Sequence, residues 1–179
     1  MSISFSQGKL QADERKTIIQ AVQKQAKAAA VMVAVTGSLR EAKMSEVGWS
    51  LHPQLAADTV AVCDLALSRL LAMNDANFPW LILVPRRAGV SEIIDLGDEQ
   101  SALMDELALV SRALKDETCC DKLNVAAIGN MVPQLHIHIV ARRKDDAAWP
   151  KPVWGAVPRC AYEADAMERF VAAIRERVL

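Results

Sequence analysis

No stretch of this chain is apolar for long enough to cross a membrane. The most apolar run, residues 28–35, falls far short of the roughly 20 residues that a spanning helix requires, and Asp13 and Glu14 precede it. It also lies too far from the N-terminus, with the wrong flanks, for a signal peptide. Charge of one sign is missing as well. The 21 Lys and Arg nearly balance the 22 Asp and Glu, for a net charge of −1. There is thus no basic field to hold a nucleic-acid polymer, and no acidic tail. Cysteine is sparse: Cys63, Cys119, Cys120 and Cys160 contain no C-x-x-C pair. That excludes a zinc-ribbon spacing and a secreted disulfide framework, and it points to reduced thiols in a cytoplasmic protein. Internal repeats, low-complexity segments, βαβ alternation and glycine-rich phosphate loops of the G-x-G-x-x-G or G-K-[ST] kind are also missing.

What remains is the composition of an ordinary globular protein, 179 residues with 52% hydrophobic and 24% charged. That is enough for one domain with a small appendage and a core that needs no staples. Residues 13 to 35 read as an amphipathic, alanine-rich helix with Lys16, Gln20, Lys24 and Lys27 on its outer face. Its apolar side is mostly alanine, which buries little area, so attachment to a membrane surface is disfavoured. Gly37-Ser38 ends it, and Met44 opens a sequence that reads as a domain start. The expected organisation is an N-terminal helical extension over residues 1–44 and a domain over residues 45–179.

Within that domain His52-Pro53-Gln54 reads as a turn. Residues 60–64 and 68–74 read as short strands, and residues 74–79 as a turn cluster. Trp80-Leu-Ile-Leu-Val-Pro85 reads as a fully buried strand forming a hairpin with its predecessor. Asp98 is placed to cap a helix whose core stripe is Leu103, Leu107, Val110 and Leu114, ending near Asp116. Residues 123–128 form the next strand, with Gly129-Asn130 as the turn of a second hairpin. A charged, then Trp- and Pro-rich loop follows from Asp145 to Pro158. A final helix over residues 161–178 faces Met167, Phe170, Val171, Ile174 and Val178 inward. The order hairpin, helix, hairpin, loop, helix predicts an α+β fold on an antiparallel sheet.

The second hairpin carries the stretch that matters most, Met131-Val-Pro-Gln-Leu-His-Ile-His-Ile-Val140. Two of the three histidines in the chain stand here. In an extended strand Gln134, His136 and His138 share one face, and Leu135, Ile137 and Ile139 the other. Two imidazoles about 6–7 Å apart along a strand have three possible tasks. They can hold a metal, for which His52 and carboxylates are the remaining donors. They can be hydrogen-bonded structural groups. They can also act in catalysis, one as nucleophile and one as acid or phosphate contact.

Gln134-Leu-His136-Ile-His138-Ile-Val140 resembles the signature of the histidine-triad (HIT) family, in which histidine alternates with apolar residues three times. The resemblance extends upstream through Ser68–Asn74, Trp80–Pro85, the helix, Leu123-Asn124 and Gly129-Asn130, and covers roughly residues 46 to 160. It is similar to the form found in bacterial HIT-like hydrolases and diadenosine tetraphosphate hydrolase-like proteins. Gln134 occupies the place of the first histidine. The resemblance implies that His136 attacks the α-phosphorus of a nucleotide ester, anhydride or phosphoramidate. It implies that His138 contacts the phosphate and helps protonate the leaving group, and that Gln134 orients the site. Asn124 and Asn130 fall where the family places amides near the phosphate, and Asn74 where it contacts ribose. The plain alternative for each asparagine is a turn or strand-end residue. A homodimer and a nucleotide substrate are implied, with no obligatory redox cofactor. Magnesium can accompany a polyphosphate substrate, and no protein-built metal site is expected. The rivals are a nucleotidylyltransferase of the same superfamily and a non-catalytic nucleotide-binding scaffold.

Arg86-Arg87 and Arg142-Arg143-Lys144 read either as steering charges for polyphosphate or as solvated strand ends. Trp149 and Trp154 read as nucleotide or interface cover, or as loop packing. Trp80 reads as core, and His52 as structural.

Overall fold

The computed structural model describes residues 48–179. The helix expected over residues 13–35 and the domain start at Met44 lie outside the described residues. Five strands form one antiparallel sheet in the order β1-β2-β3-β5-β4. They are β1 Thr59–Asp64, β2 Ser68–Met73, β3 Trp80–Pro85, β4 Lys122–Ala126 and β5 Ile137–Arg142. Three α-helices accompany them: α1 Pro53–Asp58, α2 Gln100–Thr118 and α3 Ala164–Val178. The α+β class expected from the element order is therefore the observed one.

β3 is the centre. Every residue of its Trp-Leu-Ile-Leu-Val-Pro run is buried, because both faces of the strand are covered, and a two-sided strand reads as a continuous apolar run. Alternation then divides the side chains. Leu81 and Leu83 join Ile137, Ile139 and Ala141 of β5 in a core shared with Leu103 and Val110 of α2 and Ile174 of α3. Trp80, Ile82 and Val84 turn the other way. There they meet Val140 of β5, Leu55 of α1 and Val132, Ala148 and Val153 from loops. This second face is covered by α1 and loops, and it carries His138, which stands opposite Ile82.

Three expectations are corrected. The first concerns the second hairpin: β4 and β5 pair antiparallel as expected, but the pairing runs only from Lys122↔Arg142 to Ala126↔His138. Residues 127–136 form a loop, so Gln134 and His136 precede the strand. Pro133 has no N–H to give a ladder, which keeps this segment out of the sheet. Secondly, the turn at His52 is the start of α1. The His52 Nδ1 accepts the Gln54 N–H at 3.2 Å, and Pro53 takes the first helical turn, where its missing N–H costs nothing. The third concerns Asp98, which does not cap α2. It lies within a 3-10 segment, Ile93–Glu99, that leads into the helix. At the other end, Cys119 adopts the left-handed conformation with φ 49° and closes α2 through its N–H to the Lys115 carbonyl.

Helix α2 buries a charge that its stripe did not advertise. Glu106 is buried beside Leu103 and Val110, while Leu107 is half-buried at the edge. Its carboxylate accepts the N–H of Leu67 at 2.6 Å and of Ser68 at 3.0 Å. Two buried backbone donors at the start of β2 thereby find a charged acceptor.

Candidate active site

His136 and His138 stand side by side, ring centroids 4.9 Å apart and nearly perpendicular. Both are buried to within a few per cent, at 7% and 6% exposure. The expected sharing of a face holds for the two histidines but not for Gln134: Ile137 and Ile139 point to the helix side, and His136 and His138 line a cavity of about 390 Å³ on the other, which the Gln134 side chain does not line. Leu55 and Met73 form walls together with Trp80, Val132 and Trp154, and Ile128 and Met131 stand exposed at the mouth.

The surroundings of His136 settle its tautomer. Its Nδ1 lies 2.6 Å from the Gln134 backbone carbonyl. A carbonyl oxygen only accepts, so Nδ1 carries a proton, and in the neutral ring Nε2 is the nitrogen with the lone pair. His138 is held from the neighbouring strand, where Trp80 Nε1 donates to its Nδ1 at 3.0 Å. Burial, and then the proximity of His136, push the His138 pKa down to about 4, so the ring is neutral at physiological pH.

The side chain of Gln134 contacts backbone on both sides of its amide. Oε1 accepts the His52 N–H and Nε2 donates to the Ser50 carbonyl, each at 2.9 Å. It thus ties the segment entering α1, the helix that brings Leu55, Gln54 and Asp58 to the cavity. Asp58 is fastened in turn by Gln54 Nε2 and by Arg159, each at 2.6 Å. Burial raises the Asp58 carboxyl, but these two partners outweigh it and hold the group below its ordinary value.

The three asparagines are placed differently. Asn130 lines the cavity and is exposed. Asn74 sits just outside the wall, next to Met73, with its Oδ1 accepting the Tyr162 N–H at 3.0 Å. Asn124, on β4, accepts an Arg142 guanidinium N–H at its Oδ1, at 2.6 Å.

Within the basic clusters Arg86, Arg87 and Arg142 are internal ties, whereas Arg143 and Lys144 are exposed at the strand end. Arg142 is 1% exposed and paired with Asp146, with its guanidinium over the rings of Phe78 and Trp149. Arg87 pairs with Glu99, and Arg86 with Asp64. Trp149 packs on Arg142, whereas Trp154 reaches the cavity and meets Trp80 and His138 edge-on at 5.4 and 5.5 Å. A second groove, about 540 Å³, lies between α2 and α3, but it is lined by charged residues such as Arg112, Asp116 and Arg177 and by no histidine.

The HIT domain family pattern matches residues 54–145, which spans both histidines, α1 from its second residue and the whole sheet. The chain belongs to the histidine-triad family. Three solved histidine-triad proteins bear this out. One from Bradyrhizobium japonicum is 55% identical, with 73% of this chain and 98% of that one covered and a TM-score of 0.72. One from Sinorhizobium meliloti is 38% identical, with coverage of 74% and 98% and a TM-score of 0.72. One from Marinobacter aquaeolei is 42% identical, with coverage of 73% and 96% and a TM-score of 0.71. No curated protein matches the chain. Two site residues escaped the sequence reading of this HIT protein. Trp80 is core, as its strand implies, but also faces the cavity, and Asp58 carries no local signal because nothing marks the end of so short a helix.

Proposed function

We propose that this protein is a nucleotide hydrolase. It cleaves dinucleoside polyphosphates or related nucleotide conjugates at the α-phosphate through a nucleotidyl-His136 intermediate. The observation that carries this reading is the 2.6 Å contact from His136 Nδ1 to the Gln134 carbonyl. It directs Nε2 of the neutral tautomer toward the cavity as the nucleophilic atom, without any activating base.

In the first step Nε2 bonds to the α-phosphorus and the bond from phosphorus to the leaving group breaks. The leaving group departs with its electron pair. The imidazole then carries a formal positive charge, and the Nδ1–H bond to the Gln134 carbonyl strengthens as that charge grows. This interaction is stronger in the transition state than before it, which is the condition for catalysis. His138 contacts the phosphoryl oxygens, and Asn130 and the loop at Ile128–Val132 border the same space. In the second step water attacks phosphorus, the P–N bond breaks, the electron pair returns to Nε2 and the water proton passes to solvent. The nucleoside monophosphate is released.

The apolar walls from Leu55, Met73 and Trp154 suit a base ring, whose faces gain from apolar and aromatic contact. In this reading Asn74 and Asn124 support the nucleotide site from outside the cavity wall. The exposed apolar side chains Val125, Ile128 and Met131 beside edge strand β4 support a homodimer, and the free cysteines support work in the cytoplasm.

The test is trapping. The protein is incubated with a nucleoside phosphoramidate, quenched in base and digested, and the adduct is located by mass spectrometry. Nucleotidyl-His136 is expected, with products unchanged by added inorganic phosphate. A phosphorylated nucleotide product appearing only with phosphate identifies a transferase. His136→Ala turning over as fast as the wild type sinks the mechanism.

A further inference from the structure

Trp80 starts β3 and His138 lies on β5. The register pairs Trp80 with Val140 and Ile82 with His138. Trp80 is therefore the diagonal neighbour of His138 on the same sheet face, within reach of a long aromatic side chain. The indole is 6% exposed and its ring stands edge-on to the imidazole at 5.3 Å. The polar end of the indole points at one atom: Nε1 is 3.0 Å from His138 Nδ1.

An indole N–H donates and cannot accept. The Nδ1 of His138 must then be the acceptor, and the proton of the neutral ring must sit on Nε2. We propose that Trp80 is a positioning residue that locks His138 in the Nε2–H tautomer, so that a neutral imidazole offers a hydrogen-bond donor to the phosphoryl group attacked by His136. The two neighbouring imidazoles are thereby held in opposite tautomers. The Gln134 carbonyl places the His136 proton on Nδ1 and leaves Nε2 to attack. The Trp80 N–H does the reverse for His138. A nucleophile and a donor stand side by side, and neither can take the other's part without breaking a buried hydrogen bond. Buried tryptophan usually finds such a partner for its N–H; here the partner is a group of the site itself. The catalytic meaning of the lock rests on the hydrolase reading above, but the tautomer does not.

The experiment uses the full chain labelled with ¹⁵N-histidine, observed by two-dimensional ¹H–¹⁵N spectroscopy of the ring nitrogens near pH 7.5. Wild type is expected to show His138 protonated on Nε2 alone and His136 on Nδ1 alone. Trp80→Phe keeps a ring in place and removes the donor; its His138 signals are expected to move toward a mixture of tautomers, with His136 unchanged. Its kcat is expected to fall about tenfold, the effect of one mispositioned hydrogen bond at a transition state, with KM within about twofold, since the apolar wall survives. A wild-type His138 protonated on Nδ1 overturns the proposal, even if Trp80→Phe does not fold. So does a Trp80→Phe protein whose His138 tautomer is unchanged, which would mark Trp80 as packing only. If the wild type turns over no nucleotide yet shows the two opposite tautomers, the hydrolase reading fails and the lock stands.

Discussion

The side-chain oxygen of Gln134 accepts the backbone N–H of His52 at 2.9 Å, across 82 residues of chain. The same amide donates to the Ser50 carbonyl. Only a group with both an acceptor and a donor closes this tie, and a carboxylate has no donor. Gln134→Glu is therefore expected to set an oxygen against the Ser50 carbonyl and loosen the entry to α1, at a cost of about 1–2 kcal/mol. His136, the nucleophile in the proposed mechanism, is oriented by the backbone carbonyl of residue 134, which any side chain leaves intact. KM should rise by roughly three- to tenfold while kcat stays within about twofold. Steady-state kinetics together with urea unfolding checks this. A collapse of kcat at constant KM would place the amide at the reacting phosphate instead.

Much of this was legible in the sequence, for local reasons. The run Trp80–Pro85 announced a strand covered on both faces, and the His-Ile-His-Ile alternation fixed which side chains share the cavity. What failed was register and reach. Gly129, with φ 66°, does make a left-handed turn, yet the chain beyond it runs through Pro133 before pairing resumes, so the connection is a ten-residue loop spanning residues 127–136 instead of a tight hairpin turn. Arg142 shares a face with His138 and Val140 by the same period of two. Its burial was therefore implicit in the alternation that located the histidines, but two adjacent basic residues drew it into a surface cluster. The Trp80 N–H and the Glu106 carboxylate find partners 58 and 39 residues away, and no local pattern encodes such contacts.

Glu106 supplies a prediction about stability alone. Its two oxygens hold the N–H groups of Leu67 and Ser68 where β2 begins, and it is 7% exposed. Glu106→Gln turns one acceptor into a donor facing a buried N–H. The expected loss is about 1.5–3 kcal/mol, the range for hydrogen bonds to a charged partner. Thermal unfolding followed by circular dichroism would show it, with turnover at low temperature nearly unchanged because the site lies on the opposite face of the sheet.

Arg142 and Asp146 form a buried pair, 1% and 8% exposed. The same guanidinium also binds the Asn124 side chain and the Lys151 carbonyl, so it organises the loop that carries Trp154 to the cavity. Arg142→Ala leaves the Asp146 carboxylate buried without its cation and should cost about 3–5 kcal/mol. Arg142→Met combined with Asp146→Leu removes both charges and should be markedly less destabilised than Arg142→Ala. Chemical denaturation of the two variants decides the point. Equal losses would mean that the packing of the guanidinium between Phe78 and Trp149 matters more than the pairing.

His138 gives the fold a pH dependence whose sign follows from its burial. In the unfolded chain it titrates near 6.5, whereas in the folded protein its pKa is lowered to about 4, by burial first and then by His136. Between these values the unfolded state binds a proton that the folded state refuses, so stability rises with pH. The contribution is complete above about pH 6.5 and is lost as pH falls toward 4. At about 1.4 kcal/mol per pH unit the loss amounts to roughly 3 kcal/mol across the window. Asp58, Asp64 and Asp146, all lowered below the ordinary 3.8, act in the same direction but at lower pH. They are lost as pH falls through their depressed values and leave this window to His138. Urea unfolding at pH 7.5 and pH 5 should show the wild type losing about 2 kcal/mol between them. His138→Gln cannot take up a proton and should lose markedly less over the same interval. A variant that tracks the wild type would assign the acid sensitivity to another group and His138 an ordinary pKa.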